Sequence, residues 1–208
     1  MLNPTRINLL MLKEKHTSIK SSISILKSRR RALIKELLET GNVLLQSRNE
    51  LSNLYANSIK KLKESIGYLG ASTVNSLCEV TKRDILIDIK DETIWGLRYK
   101  EAITNQSAVR SINTRGYDAR FTPPVLEDCI YQYEKIIDLI LNISTYENKL
   151  KRLSQEIIKT TRRTRVLEER VQPNIKSEIK FISSYIGERE RESFYKIKKL
   201  KTLKSKQV

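Results

Sequence analysis

With 40 Lys and Arg against 24 Asp and Glu over 208 residues, and only 6 Gly and 4 Pro, the chain carries a formal charge of +16 and little punctuation for many short elements. One His and two Cys exclude a disulfide framework and leave His-based triads and zinc sites without their usual members. The charge is concentrated, with +7 in residues 1–36 and +6 in residues 189–208, which excludes a uniform coat for a polyanion and predicts one strongly positive tip if the ends meet.

The first element is a coiled-coil helix. Alternating steps of three and four residues from Leu9 give Leu12, His16, Ile19, Ile23, Leu26, Arg30, Leu33, Leu37, Thr40, Leu44, Ser47, Leu51, Leu54 and Ser58, ten of the fifteen apolar. A straight amphipathic helix drifts off such a 3.5-residue repeat by about 20° per heptad, so the pattern predicts a supercoiled seam. It relaxes through Leu62, Ile66 and Leu69, and the helix is assigned to residues 1–79. The longest uncharged run, Ser65 to Cys78, contains Gly67 and Gly70 and is too short and polar to span a bilayer, so direct membrane insertion is not expected.

Residues 80–124 read as an insert. Ile85, Ile87 and Ile89 alternate with Leu86, Asp88 and Lys90, and Asp91-Glu92 then separates them from Thr93-Ile94-Trp95-Gly96-Leu97-Arg98-Tyr99. Period-two β-branched and aromatic residues around a polar break predict a β-hairpin turning at Asp91-Glu92. From Ala102 to Pro124 a loop or short packed helix is expected.

The second long element, with a basic tail, takes residues 125–208, because Pro123-Pro124 stops whatever precedes and suits a new helix start. Ile130, Tyr133, Ile137 and Ile140 lie on one stripe, and the seam resumes at Ile143, Tyr146, Leu150, Leu153, Ile157, Thr160, Thr164, Leu167 and Val171. Pro173 is expected to kink or loosen the helix. The fold class is therefore all-α, a long antiparallel two-helix coiled coil with a small β-hairpin or irregular insert between the helices. Paired residue numbers are expected to sum to roughly 200, bringing Glu36 and Glu39 toward Arg162 and Arg163. A second apolar stripe, Leu45, Tyr55 and Ile59 on one helix with Ile136, Leu139 and Ile143 on the other, predicts a small partner along the coil.

Chemistry is missing from the sequence. None of the six glycines opens a phosphate-cradling loop, Cys78 and Cys129 read as buried small hydrophobes, and Glu168-Glu169 falls on an exposed helix face, so no catalytic residue, cofactor or metal is expected. The absence of an apolar signal-peptide core at the start points to a reducing, cytoplasmic setting. Two dense segments remain: Lys159 to Glu168, whose Arg162 and Arg163 form a candidate shaft surface, and the charge-alternating Gly187 to Phe194.

Asn3-Pro4-Thr5-Arg6, the Lys159 to Glu168 segment, Pro173, and Glu188-Arg189-Glu190 followed by Phe194, Lys196 and Lys198 resemble the D subunit of the V-type and A-type rotary ATPases. The resemblance is strongest over the first ten residues and from about 155 to 200. Thr164-Arg165-Val166-Leu167-Glu168 departs from the Val-Asn-Ala-Leu-Glu that the family tends to carry. The resemblance implies a non-catalytic central-stalk rotor, peripheral to the membrane through its complex. It implies as partners the catalytic and non-catalytic head subunits, the small F subunit of the stalk, and a stalk subunit linking to the membrane ring. On that basis Pro4, Thr5, Arg6, Arg189, Arg191, Phe194 and Lys198 are head-contact candidates, and the small F subunit is the partner for the second apolar stripe. The competing readings are a basic scaffold coil and a nucleic-acid-binding coil, the latter disfavoured because aromatics make up only 6% of the chain.

Overall fold

A computed structural model describes residues 3–117 and 122–204. Helix α1 spans Arg6–Leu69, α2 Ala71–Thr81, strand β1 Ile87–Ile94 and β2 Leu97–Thr104; a 3-10 turn at Ile112–Thr114 precedes α3, Pro124–Val166. A π-helical turn, Leu167–Val171, joins α3 to α4, Gln172–Lys204. The long helices are antiparallel partners with a two-stranded sheet inserted between them, as the heptads predict. Two units result, one from residues 1–32 and 157–208, the other from residues 33–156.

Local chemistry sets the helix ends. Thr5 caps α1, its hydroxyl accepting from the Asn8 amide at 3.3 Å. Gly70, at φ 79, ends α1 and starts α2, so the single helix expected over residues 1–79 is broken where only glycine adopts the left-handed backbone cheaply. Pro124 opens α3 as a first-turn proline, with the Leu126 amide donating to the Pro123 carbonyl at 3.0 Å. Pro173 stays inside the helix because the turn before it widens: the Gln172 amide donates to the Leu167 carbonyl, five residues back. That π turn is the form the expected loosening takes.

In the unit of residues 1–32 and 157–208, Leu12, Ile175 and Ile182 form a buried cluster, with Leu9, Ile19, Val171, Ile179 and Ile186 packed around it. Arg6 pairs with Glu190 and Lys27 with Glu168, so the two helices run antiparallel and the basic ends of the chain meet here. His16 Nε2 and Arg30 Nε are buried without a partner and mark the weak points of this seam.

In the unit of residues 33–156, Arg48 pairs with Glu147, Lys61 with Asp128 at 2.9 Å, and Glu36 with Lys149 at 2.7 Å. Paired numbers sum to 195 or 196 in the first unit and to between 185 and 195 in the second, close to the expected 200. Glu36 is therefore matched to Lys149, and Glu39 to Lys35 on its own helix, rather than to the predicted arginines. All fifteen predicted seam positions from Leu9 to Ser58 are buried or half-buried. Small polar seam residues satisfy themselves on their own helix: Ser58, Ser65 and Thr164 donate to carbonyls four residues back at 2.7, 2.8 and 2.9 Å. The seam leaves its predicted track at both ends of the insert. Ser65 is buried where Ile66 was expected, and Ile136 replaces Ile137 and Ile140, which are exposed.

The hairpin forms, but its turn is Trp95-Gly96, not Asp91-Glu92. Both turn residues have positive φ, 52 and 77, the two-residue geometry whose twist matches a β-ribbon, and Asp91 and Glu92 pair with Lys100 and Tyr99 inside the ladder. Strand β2 rests on α3, the Ala102 amide donating to Thr145 Oγ1 and Asn148 Nδ2 to the Lys100 carbonyl, both at 3.2 Å. The assigned segment 80–124 thus divides into the end of α2, a hairpin and a loop, with residues 118–121 outside the described part, as are residues 1–2 and 205–208 of the two helical segments.

Candidate functional site: a basic helix end and a clamped insert

The head-contact candidates gather at one end of the first unit. Antiparallel pairing that matches Arg6 with Glu190 carries the rest of α4 past the start of α1, and residues 191–202 are all exposed. This overhang presents Phe194 (69% exposed), Tyr195, Ile197 and Leu200 beside Lys196, Lys198, Lys199 and Lys201. Exposed aromatics on a cationic helix suit a protein contact better than solvent. Arg191 pairs with Glu188 at 2.8 Å, Arg189 lies over the Tyr185 ring, and Lys198 is exposed. At the other chain end Pro4 is half-buried, Thr5 serves as the helix cap, and Arg6 is exposed. Arg162 and Arg163 are exposed and, with Leu26, Val166 and Leu167, line a shallow cavity of about 480 Å³.

The six small-partner candidates separate. Leu45 (60% exposed) and Tyr55 are exposed, while Ile59 and Leu139 are half-buried. Ile136, at 5%, lies in the seam instead of on the outer stripe, and Ile143, at 8%, lies in the seam where the heptad also placed it. The exposed large apolar residues of this region are Tyr131, Ile137 and Ile140 on α3 and Leu38, Leu45 and Ile66 at heptad-related positions of α1. Cys129 is buried as expected, burial and neighbouring Cys78 pushing its thiol pKa up, whereas Cys78 is exposed.

Sequence reasoning missed the second feature, an ionic clamp holding the loop after β2 onto α3. Glu134 accepts from the Arg110 amide at 3.1 Å, Arg110 Nε at 2.9 Å and Arg115 Nη2 at 3.1 Å. Glu127 pairs with Arg115 Nη1 and accepts from the Tyr117 hydroxyl at 2.6 Å and the Thr122 hydroxyl at 2.9 Å. Arg110 Nη1 also reaches the Thr81 carbonyl at 3.1 Å, tying in the end of α2. Burial disfavours the Arg115 cation, but Glu134, Tyr117 and Glu127 outweigh it and raise its pKa. Burial first, then the bond to Glu127, pushes the Tyr117 phenol up to about 12. The one available signal was Glu127 and Glu134, seven residues apart on a predicted helix and facing an insert that holds Arg110 and Arg115.

No cluster of potential metal ligands occurs among the described residues, and none of their helices is long and apolar enough to cross a membrane. A sequence model of the ATP synthase D-subunit family matches residues 8–202. The chain is 30% identical over 202 residues to a Pyrococcus horikoshii protein named as the D subunit of A-type ATP synthase, covering 97% of this chain and 94% of that one. A protein of the same name from Methanoregula boonei is 30% identical over 200 residues, covering 96% of this chain and 95% of its own length.

Proposed function

The chain belongs to the ATP synthase D-subunit family, and from that premise we propose that it is the central-stalk rotor of a V/A-type ATPase. It carries torque between the head that hydrolyses or makes ATP and the membrane ring that moves ions, without catalysing either reaction itself. It works on the cytoplasmic side, peripheral to the membrane through the complex. The basic α4 overhang with Pro4, Arg6, Arg189, Arg191, Phe194 and Lys198 enters the head formed by the catalytic and non-catalytic subunits. The outer apolar residues around Leu45, Tyr55 and Ile59 receive the small F subunit of the stalk, and a further stalk subunit links the other end to the ring.

The overhang is the observation that carries this reading. A helix end that leaves four large apolar side chains uncovered beside four lysines has no use for them within its own unit. Phe194 and its neighbours supply apolar contact area, and the lysines supply charge that acts at every angle of rotation. Deleting residues 191–208 spares the packed seam, since Ile186 and the Arg6–Glu190 pair remain. In complexes reconstituted into vesicles, the deletion is expected to lower the ratio of ions transported to ATP hydrolysed. An unchanged ratio would mean that coupling does not pass through the overhang.

A further inference from the structure

The loop fixed by the ionic clamp forms a second feature, a polar pocket of about 360 Å³ lined by Arg83, Gln106, Ser107, Val109, Arg110, Ser111 and Thr114. Its cations are held in place. Arg110 is fixed through Nε by Glu134 and through Nη1 by the Thr81 carbonyl, which leaves its other terminal nitrogen uncommitted among the described residues. Arg83 Nη2 lies 2.7 Å from Gln106 Oε1 and 3.5 Å from the Ser107 carbonyl. Arg110 and Arg115 are matched by Glu127 and Glu134, but Arg83 has no carboxylate partner among the described residues. The Arg83 cation is therefore left without a direct counter-ion among the described residues. Ser107, Ser111 and Thr114 belong to the pocket's lining, the Thr114 hydroxyl donating to the Ser111 carbonyl at 2.8 Å and Ser111 Oγ lying 3.3 Å from Thr114 Oγ1.

We propose that this pocket is an oxyanion site for a phosphate group, bound by the Arg83 and Arg110 guanidiniums and the hydroxyls of Ser107 and Ser111. Guanidinium forks match phosphate oxygens two at a time, and a charge-assisted bond of this kind is about twice as strong as a neutral one. Donors set around a cavity on several sides suit a tetrahedral anion, whose oxygens accept in every direction. A planar carboxylate uses fewer of them. Glu134 serves the site indirectly: by orienting Arg110 before any ligand arrives, it removes the entropy cost of fixing a long side chain. The site is independent of the rotor reading, because it uses neither the overhang nor the outer apolar residues. The phosphate comes either free in solution or as a phospholipid headgroup.

Arginine modification by phenylglyoxal, read residue by residue by mass spectrometry on the full chain, tests this. Inorganic phosphate is expected to slow modification of Arg83 about fivefold or more while leaving the exposed helix residues Arg162 and Arg191 unchanged. Acetate at equal ionic strength serves as the planar control. Vesicles containing phosphatidic acid, compared with phosphatidylcholine alone, form the second arm. Protection of Arg83 by phosphate alone assigns a soluble ligand, and selective protection by phosphatidic acid assigns a headgroup. Ser111→Ala, at an exposed hydroxyl outside the clamp, is expected to weaken that protection without loss of folding. Equal protection of all three arginines, equal protection by acetate, or no protection of Arg83 overturns the proposal.

Discussion

Leu12, Ile175 and Ile182 hold one unit together chiefly through apolar contact, whereas the loop of residues 110–117 is held in the other by two guanidiniums and two carboxylates. Periodicity explains the difference. Two long helices meet the same kind of neighbour every three or four residues, so many small dispersion and desolvation gains accumulate along the seam. A non-repetitive loop offers no continuous face and must be fixed by a few directional bonds. Those bonds are costly to break singly, since removing one partner strands a buried charge. Glu134→Gln leaves the Arg110 and Arg115 cations without their shared carboxylate and is expected to destabilise the unit of residues 33–156 by about 3–5 kcal/mol in urea unfolding. A loss below about 1 kcal/mol would show that the loop is held some other way and would remove the contrast.

The seam side of the comparison is sharpened by a pair of leucines. Leu153, at 2% exposure, is expected to cost about 2–5 kcal/mol when changed to Ala, the transfer loss plus whatever cavity fails to collapse. Leu45→Ala on the outer stripe is expected to stay within about 0.5 kcal/mol in the isolated chain. In the assembled complex a larger Leu45 effect on retention of the small stalk subunit would separate partner contact from folding. Equal effects on the isolated chain would mean that the outer stripe is covered within the chain itself.

These contrasts follow what was readable in advance. From Leu9 to Ser58 the heptad placed every seam position correctly, including Thr40 and Ser58, because one rigid helix propagates its phase over many turns. Close to the insert that phase is lost. Ser65 turns inward in place of Ile66, and Ile136 in place of Ile137, where α2 packs near Leu62, Cys129 and Tyr133 and adds a neighbour that the two-helix pattern does not contain. The hairpin was legible from alternation, yet its turn was misplaced: a polar pair looks like a turn, but the backbone chose Trp95-Gly96, where glycine makes a positive φ cheap. The basic tail and Phe194 were visible in the sequence, but the overhang itself was not. The clamp was not, since Glu127 and Glu134 look like ordinary exposed helix charges until the loop folds over them.

Tyr117 gives the clamp a pH signature. Its neutral hydroxyl donates to Glu127, and ionisation would set a phenolate against that carboxylate. The folded value of about 12 lies above the value of about 10 for a free tyrosine, so the native state holds this proton more tightly. The resulting stability is fully present below about pH 10 and is lost as the pH rises through about 12. In an alkaline absorbance titration, Tyr117→Phe is expected to remove the late-ionising step. Survival of that step would place the shifted phenol elsewhere.

The smallest effect is expected from one of the most strongly charged parts. Lys198, Lys199 and Lys201 are exposed on the overhang, where each feels other charges only within the screening length of about 8 Å at physiological salt. If the overhang turns inside the head, no lysine keeps one partner through a full rotation, and an exposed pair at any single angle contributes only about 0–1 kcal/mol. Lys198→Ala is therefore expected to leave the ratio of ion transport to ATP hydrolysis in vesicles nearly unchanged, although deletion of residues 191–208 lowers it. Coupling lost on the single change would require a fixed lock at one angle, which a bearing that works by summed charge does not contain.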